Sequence, residues 1–280
     1  MANEATLNSL APQRWSSRIP HWPKQTFKRL ASNPWLLASL AVLAVILYWS
    51  ATNSTPTAVL QLLHWMPALL RGLRMNVELS VMAVALGTFV GLFVGALTIS
   101  PLRSVRTAAQ WYVQIFRNAP VLVLVYFTTY VFPFELQWRS WSVPFPDWIK
   151  VVLGLALPCS AVVAEIFRGA IQSIPSAQWE AAHSLAFKRT QVFRLIVLPQ
   201  CLRRMLPPWM NLYASITMST SLASLVGVHD VVDTAQIASN TVARTDFTIL
   251  VYFTLLVLFF AYCYPIARAT RALERRNERY

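Results

Sequence analysis

The chain is 280 residues long; 56% of them are hydrophobic and only 12% are charged. A soluble domain carries about 25% charged residues, so this composition excludes an ordinary soluble enzyme and predicts a protein that crosses a membrane several times. The net charge is +13. The Lys and Arg residues flank apolar runs, which favours a membrane boundary over a nucleic-acid partner.

The N-terminal part of the chain has two sections. Residues 1–34 are basic and rich in proline, and they are expected to lie on the cytoplasmic membrane surface. Residues 35–52 are apolar with aromatic ends and predict an additional N-terminal span. The apolar run begins too far from the N-terminus for a signal peptide, so the span is expected to be retained.

The next apolar region predicts a surface helix followed by a span. Residues 58–74 look amphipathic and are interrupted by Pro67, which favours a helix lying in the membrane interface. A separate span is predicted from residue 75 to 99. Three glycines spaced four apart give this span a smooth stripe that predicts close packing against another helix. The three are Gly87, Gly91 and Gly95.

Four further apolar runs predict the remaining spans. They cover residues 119–132, 148–167, 207–226 and 247–267. The Pro- and Trp-rich residues between the first two of these, 134–147, are expected to form a loop, and residues 271–280 form a basic tail. The predicted fold is therefore all-α and polytopic, with about six transmembrane helices. The first of them is an addition to a five-span core.

The distribution of Lys and Arg predicts the orientation in the membrane. Basic residues concentrate in segments 1–34, 100–118, 168–206 and 268–280, and the alternate segments 134–150 and 227–246 are less basic. Positive charge is retained on the cytoplasmic side, so both termini are predicted to be cytoplasmic. The hydropathy and the charge bias lead independently to the same six-span arrangement.

The cysteines and histidines carry no recognisable chemistry. Cys159, Cys201 and Cys263 are far apart and form no CxxC or Cys/His cluster, which predicts three small buried apolar side chains. His64, His183 and His229 have no partner pattern either. No catalytic residue, metal site or bound cofactor is predicted, and no GxxxxGK[ST] loop is present to bind ATP.

The segment from residue 175 to 199 is polar and amphipathic, although long apolar runs lie on both sides of it. Residues 176–187 are predicted to form a short helix, with Glu180 near its N-terminal turn, where a negative charge suits the helix dipole. Such a helix can project from the bilayer and be bound by a soluble partner. By composition alone, an ordinary interfacial helix remains the alternative.

A series of motifs resembles the permease subunits of ATP-binding-cassette (ABC) importers of the polar amino acid family, over residues 70–270. The motifs, in the family's order, are Asn76–Ser80, Phe116–Pro120, Ala164–Ala170, Gln178–Ala182 with Leu198–Gln200, and Thr220–Leu222 with Val226–Val228. The resemblance implies that residues 175–199 form the cytoplasmic EAA loop, whose coupling helix docks on an ATPase. The implied coupling residues are Glu180, Ala181, Ala182, Ala186, Lys188 and Pro199.

The resemblance also implies the function and the partners. The chain would be a non-enzymatic permease of the cell inner membrane that moves amino acids by alternating access. The implied partners are a cytoplasmic ABC ATPase dimer, a second identical or related permease subunit, and a periplasmic amino-acid-binding protein. Two alternatives to this function are a membrane-embedded enzyme and a secondary transporter. The first lacks a set of catalytic groups in the spans, and the second usually shows an internal repeat.

The chain departs from the family at two places. Ala186 stands where the family usually has glycine, and a positive φ at this position would cost about 1 kcal/mol with alanine. Met218 and Ser219 stand where the family often has a charged pair. Without a carboxylate in the span, the pathway is expected to suit a neutral or acidic amino acid better than a cationic one.

Two sets of polar residues in the spans are candidates for the pathway. Glu165 lies three residues before Arg168, so the two form either a simple helical ion pair or part of the pathway. One span also carries a polar face, which either lines the pathway or joins helices by hydrogen bonds. Its members are Asn211, Ser215, Thr217, Ser219 and Thr220.

Overall fold

The computed structural model describes residues 41, 45, 56–138 and 141–277. The predicted basic segment 1–34 lies outside the described residues, and the predicted span 35–52 is described only at its residues 41 and 45. Contacts group Pro56–Tyr280 into one compact unit. Within it the described elements are α1 (Pro56–Thr98), α2 (Arg103–Asn118), α3 (Val121–Val131), β1 (Glu135–Trp138), β2 (Trp141–Pro144), α4 (Asp147–Gln172), α5 (Ser176–Ser184), α6 (Arg189–Gln191), a π-helix (Val192–Val197), α7 (Leu198–Ser219), a 3₁₀-helix (Thr220–Val226), α8 (Val231–Val242) and α9 (Thr245–Asn277).

The fold is all-α apart from one small hairpin. Among the described residues, three helices are long and apolar enough to cross a membrane, namely α1, α4 and α9. The shorter α3 is also apolar, and α7 begins before the predicted span 207–226 and includes it only up to Ser219. The tail predicted from residue 271 continues α9 as far as Asn277. The total of six spans stays a prediction.

Helix α1 is continuous, so the prediction of a separate interfacial helix at 58–74 is wrong. It runs for 43 residues through Pro67 without ending. A proline inside a helix removes one backbone hydrogen bond. Here both sides of the proline pack on one apolar cluster, in which Trp65 and Leu69 contact residues of α8 and α9. This burial stabilises the whole length of the helix and outweighs the lost bond.

The glycine stripe of α1 packs directly against α4, as predicted. A Cβ atom at Gly91 would lie 2.5 Å from the carbonyl oxygen of Ser160, which no real side chain tolerates. Gly87 faces Cys159 and Gly95 faces Phe167, so α1 and α4 run in the same direction. The two helices therefore end on the same side of the molecule and form the centre of the fold.

Segment 100–118, expected to be a basic loop, forms helix α2. Its apolar side buries Ala109 and Val113 against Val94 of α1 and Ala164 of α4. The chain then breaks at Pro120, which has an extended conformation, and continues as α3. A proline restricts the residue before it to extended conformations, so α2 ends here.

Residues 134–147, predicted to be a loop, contain an antiparallel hairpin of β1 and β2. Lys150, at the start of α4, is fully buried beside it. Its ammonium group lies 3.0 Å from a carboxylate oxygen of Asp147 and 4.0 Å from the centre of the Phe134 ring. The buried charge is thus paired with a carboxylate and with the face of an aromatic ring, and it ties the hairpin to α4.

Candidate functional site

The predicted coupling segment forms helix α5, which ends at Ser184. Glu180 and Ala181 are exposed on it, whereas Ala182 is buried and packs with Val192 and Cys201. The three other predicted coupling residues, Ala186, Lys188 and Pro199, are also exposed. Five of the six predicted coupling residues are therefore exposed, and only Ala182 is buried beneath α5.

The end of α5 explains why Ala186 matters. Its φ is +55°, in the left-handed region. The Phe187 N–H donates to the Ala182 carbonyl at 3.1 Å, and the Ala186 N–H donates to the His183 carbonyl at 2.9 Å. This pair of bonds is the Schellman motif, whose left-handed residue is usually glycine. The conditional expectation of a positive φ at Ala186 is met.

Helix α5 is fastened to two longer helices through contacts that the sequence did not predict. The Gln200 amide in α7 donates to the Gln178 amide oxygen at 2.5 Å. The Arg204 guanidinium, also in α7, donates to the Ser173 hydroxyl at 2.8 Å, just beyond α4. Helix α5 is therefore bonded to α7, and α7 is bonded in turn to the end of α4. The π-helix before α7 adds a local irregularity of the kind often found at functional sites.

Glu165 is the centre of a partly exposed ion-pair cluster between α2 and α4. It pairs with Arg168 on the same helix, which the sequence predicted, and the Arg168 guanidinium also donates to the Gln172 amide oxygen at 2.7 Å. Arg117 of α2 lies 3.8 Å from the same carboxylate, a contact that the sequence did not predict. Two guanidinium groups therefore share one carboxylate, which joins α2 to α4.

The predicted polar face of residues 211–220 is divided in the structure. Asn211 and Ser215 are exposed, and Ser219 is half-buried. Thr217 and Thr220 are buried, and their hydroxyls donate to backbone carbonyls of their own helical turns. Two of the five residues thus lie in the interior of this chain, where they take part in helix packing.

A buried polar network that the sequence did not reveal joins α1 to the start of α8. The Asn76 side chain donates to the Asp230 carboxylate at 2.9 Å and to the Thr220 hydroxyl at 3.1 Å, and it accepts from the Val231 N–H at 3.0 Å. Asp230 also caps α8 by accepting from the Asp233 N–H. Burial raises the pKa of the Asp230 carboxyl despite these hydrogen bonds.

Comparison with known proteins places this geometry in a family. Residues 87–279 match the family described as "Binding-protein-dependent transport system inner membrane component". The octopine transport system permease protein OccM of Rhizobium radiobacter is 32% identical over 221 residues, covering 76% of this chain and 89% of the relative. The probable amino-acid ABC transporter permease protein YckA of Bacillus subtilis is 29% identical over 214 residues, covering 76% and 91%.

A solved structure gives the same result. A chain in the crystal structure of an amino acid ABC transporter with histidines superposes with a TM-score of 0.68 at 25% sequence identity. The match covers 78% of this chain and 97% of that chain. The helical arrangement from α1 to α9 is therefore similar to that of a transporter's membrane subunit along almost its entire length.

Proposed function

This chain belongs to the family of binding-protein-dependent transport system inner membrane components, and we propose that its helix α5 couples an ATPase to transport. The chain is an integral membrane protein and a permease subunit of an ABC importer for amino acids. It is not itself an enzyme, since ATP hydrolysis belongs to a separate subunit. Family membership decides against the two alternatives, an embedded enzyme and a secondary transporter.

The observation that carries the coupling proposal is the way α5 is held. Glu180 and Ala181 are exposed and free to meet a partner, while Ala182 on the opposite side is buried. Gln178 and Ser173, which lies between α4 and α5, are both bonded to α7. A force applied to the exposed side is therefore transmitted to the helices that cross the membrane, as alternating access requires.

The complete transporter is proposed to contain two permease subunits, identical or related, above a dimer of ATPase subunits. A periplasmic binding protein would deliver the amino acid, which agrees with the description of the family. We place the chain in the cell inner membrane with both termini in the cytoplasm. The charge bias supports this orientation, because the ends of α1 and α4 that precede basic segments lie on one side.

The cargo is proposed to be a polar amino acid, neutral or acidic. Relatives are named for octopine, L-cystine, glutamine and arginine. The exposed polar side chains of α7 are Asn211 and Ser215, which suit a zwitterion by hydrogen bonding, and no carboxylate lies in α7 to pair with a cationic side chain. Uptake by the reconstituted complex tests this. Efficient arginine uptake with no uptake of glutamate or glutamine would contradict it.

Charge reversal at Glu180 tests the coupling role. Glu180→Lys is expected to leave the protein inserted but to lower uptake at least about tenfold, since a reversed charge opposes a docked ATPase at a cost of about 1.4 kcal/mol or more. The matched control is Glu135→Lys, an equally exposed carboxylate in the hairpin. Normal uptake by the Glu180 variant, or an equal loss in both variants, would refute the assignment of α5.

A further inference from the structure

A cavity of ≈ 860 Å³ opens beside α5. It lies between Ile99, the first residue after α1, and the chain that joins α5 to α7. Helices α1 and α4 are both long and apolar enough to cross a membrane, and they end on this same side. The cavity therefore lies at the boundary between lipid and water.

The cavity has apolar walls and a basic opening. Ile99, Trp179, Phe193 and Leu198 provide the apolar surface, and no acidic residue lines it. Arg189 and Arg194 also line it, and both are exposed. Within the described part of the chain, neither guanidinium group has a hydrogen-bond or ion-pair partner.

The cavity and the proposed ATPase contact lie on different sides of α5. Trp179 and His183, one helical turn apart, line the cavity, whereas Glu180 and Ala181 do not. Nearby, Leu195 is 62% exposed beside Arg194. Apolar side chains next to unpaired arginines are typical of a surface that meets anionic lipid. The apolar side chains contact the acyl chains, and the arginines contact the headgroups.

We infer that this cavity binds an acidic phospholipid of the leaflet on the ATPase side. The lipid phosphate lies between Arg189 and Arg194, and an acyl chain lies along Ile99 and Phe193. A free phosphate would make no use of the apolar walls. A neutral lipid would leave both arginines without a counter-charge. Because the bound lipid packs against Trp179, it supports α5 in the position from which α5 acts, a consequence that rests on the proposed coupling function.

The test uses the assembled transporter with phosphatidylglycerol as the probe. The double variant Arg189→Gln with Arg194→Gln is expected to bind this lipid about thirtyfold more weakly, equivalent to about 1 kcal/mol for each basic residue near an anionic surface. The control removes the same charge from α9, as Arg271→Gln with Arg275→Gln, and is expected to retain the lipid. Native mass spectrometry measures retention, and ATPase activity in phosphatidylcholine vesicles with and without phosphatidylglycerol measures the effect on coupling.

Three results overturn the inference: unchanged lipid retention by the double variant, equal loss in the control, or displacement of the lipid by inorganic phosphate. Failure of the double variant to assemble with the ATPase while lipid retention is unchanged would assign the cavity to the protein interface instead.

A photoreactive phosphatidylglycerol on the unaltered transporter gives a second test that does not depend on the folding of a variant. Crosslinking to Ile99 or Phe193 is expected, and crosslinks confined to other parts of the chain contradict it. Amino-acid uptake without added acidic lipid is measured as well. If uptake is normal but no lipid binds, this inference fails and the proposed function stands; if uptake is absent under all conditions, the proposed function itself fails.

Discussion

Replacing Ala186 by glycine should stabilise the end of α5. Alanine at a φ of +55° suffers from contact between its Cβ atom and the backbone, which costs about 1–2 kcal/mol. Glycine relieves this contact, but it also gains freedom in the unfolded chain, which offsets about 0.4–1 kcal/mol. The net gain is therefore about 1 kcal/mol, and it is confined to the turn that closes the Schellman motif.

Hydrogen exchange of this segment measures the effect, because thermal unfolding of a membrane complex is not a two-state process. A gain of about 1 kcal/mol slows exchange of the Phe187 amide about fivefold. The matched comparison is Ala181→Gly, the same substitution at an exposed position inside α5. There glycine costs about 1 kcal/mol, so exchange should become about fivefold faster.

The opposite signs of these two changes are the critical result. Faster exchange in Ala186→Gly would show that the left-handed turn is not strained, and it would refute the reasoning. Amino-acid uptake by Ala186→Gly should equal or exceed that of the unaltered protein, since the substitution preserves the position of α5.

Three further predictions concern packing, the buried network and topology. Gly91→Ala should destabilise the protein by about 2 kcal/mol because α1 must move away from α4, whereas Gly169→Ala, whose added methyl meets no atom within 4 Å, should be neutral or stabilising in the same thermal inactivation assay. Asn76→Leu should lower stability by about 3 kcal/mol, measured as a lower temperature of aggregation in detergent, because the buried Asp230 carboxylate loses one of its hydrogen bonds and the Val231 N–H loses its acceptor. A cysteine introduced at Ser142 should react with a membrane-impermeant thiol reagent added from the periplasm, and one introduced at Ser184 should not. Background labelling should be low because the three native cysteines are buried. Labelling of the Ser184 variant from outside would refute the orientation.

Much of the fold could be read from local composition. Apolar runs predicted the helices that became α4 and α9, because a chain in lipid must satisfy its backbone hydrogen bonds within each segment. The contrast in composition between segment 175–199 and its flanking helices indicated a helix outside the membrane, and only the resemblance of its motifs to the EAA loop led to its prediction as the coupling region. The glycine stripe on α1 predicted a close helix contact, because small residues let another helix approach. The stripe did not identify α4 as that helix.

The incorrect predictions concern segments whose structure depends on what they contact. Pro67 suggested a break, but packing of α1 against α8 and α9 keeps the helix continuous. Segment 100–118 was counted among the basic loops because of its arginines, yet the burial of Ala109 and Val113 against α1 and α4 holds it in place as helix α2. The hairpin at 135–144 does carry alternating polar and apolar residues, but the segment is rich in Pro and Trp and was predicted to be a loop. Lys150 supports the hairpin from a neighbouring helix.

The sequence by itself determined that this chain is a membrane permease, because hydropathy and short motifs are local properties, and its motifs led to the proposal that segment 175–199 meets the ATPase. Only the tertiary structure decided that Arg117 shares Glu165 with Arg168, and that Asn76 holds Asp230 across 154 positions of sequence. Helical periodicity shows that a face is polar or apolar but does not identify the distant residue that covers it. Long-range contacts of this kind form only when the helices pack.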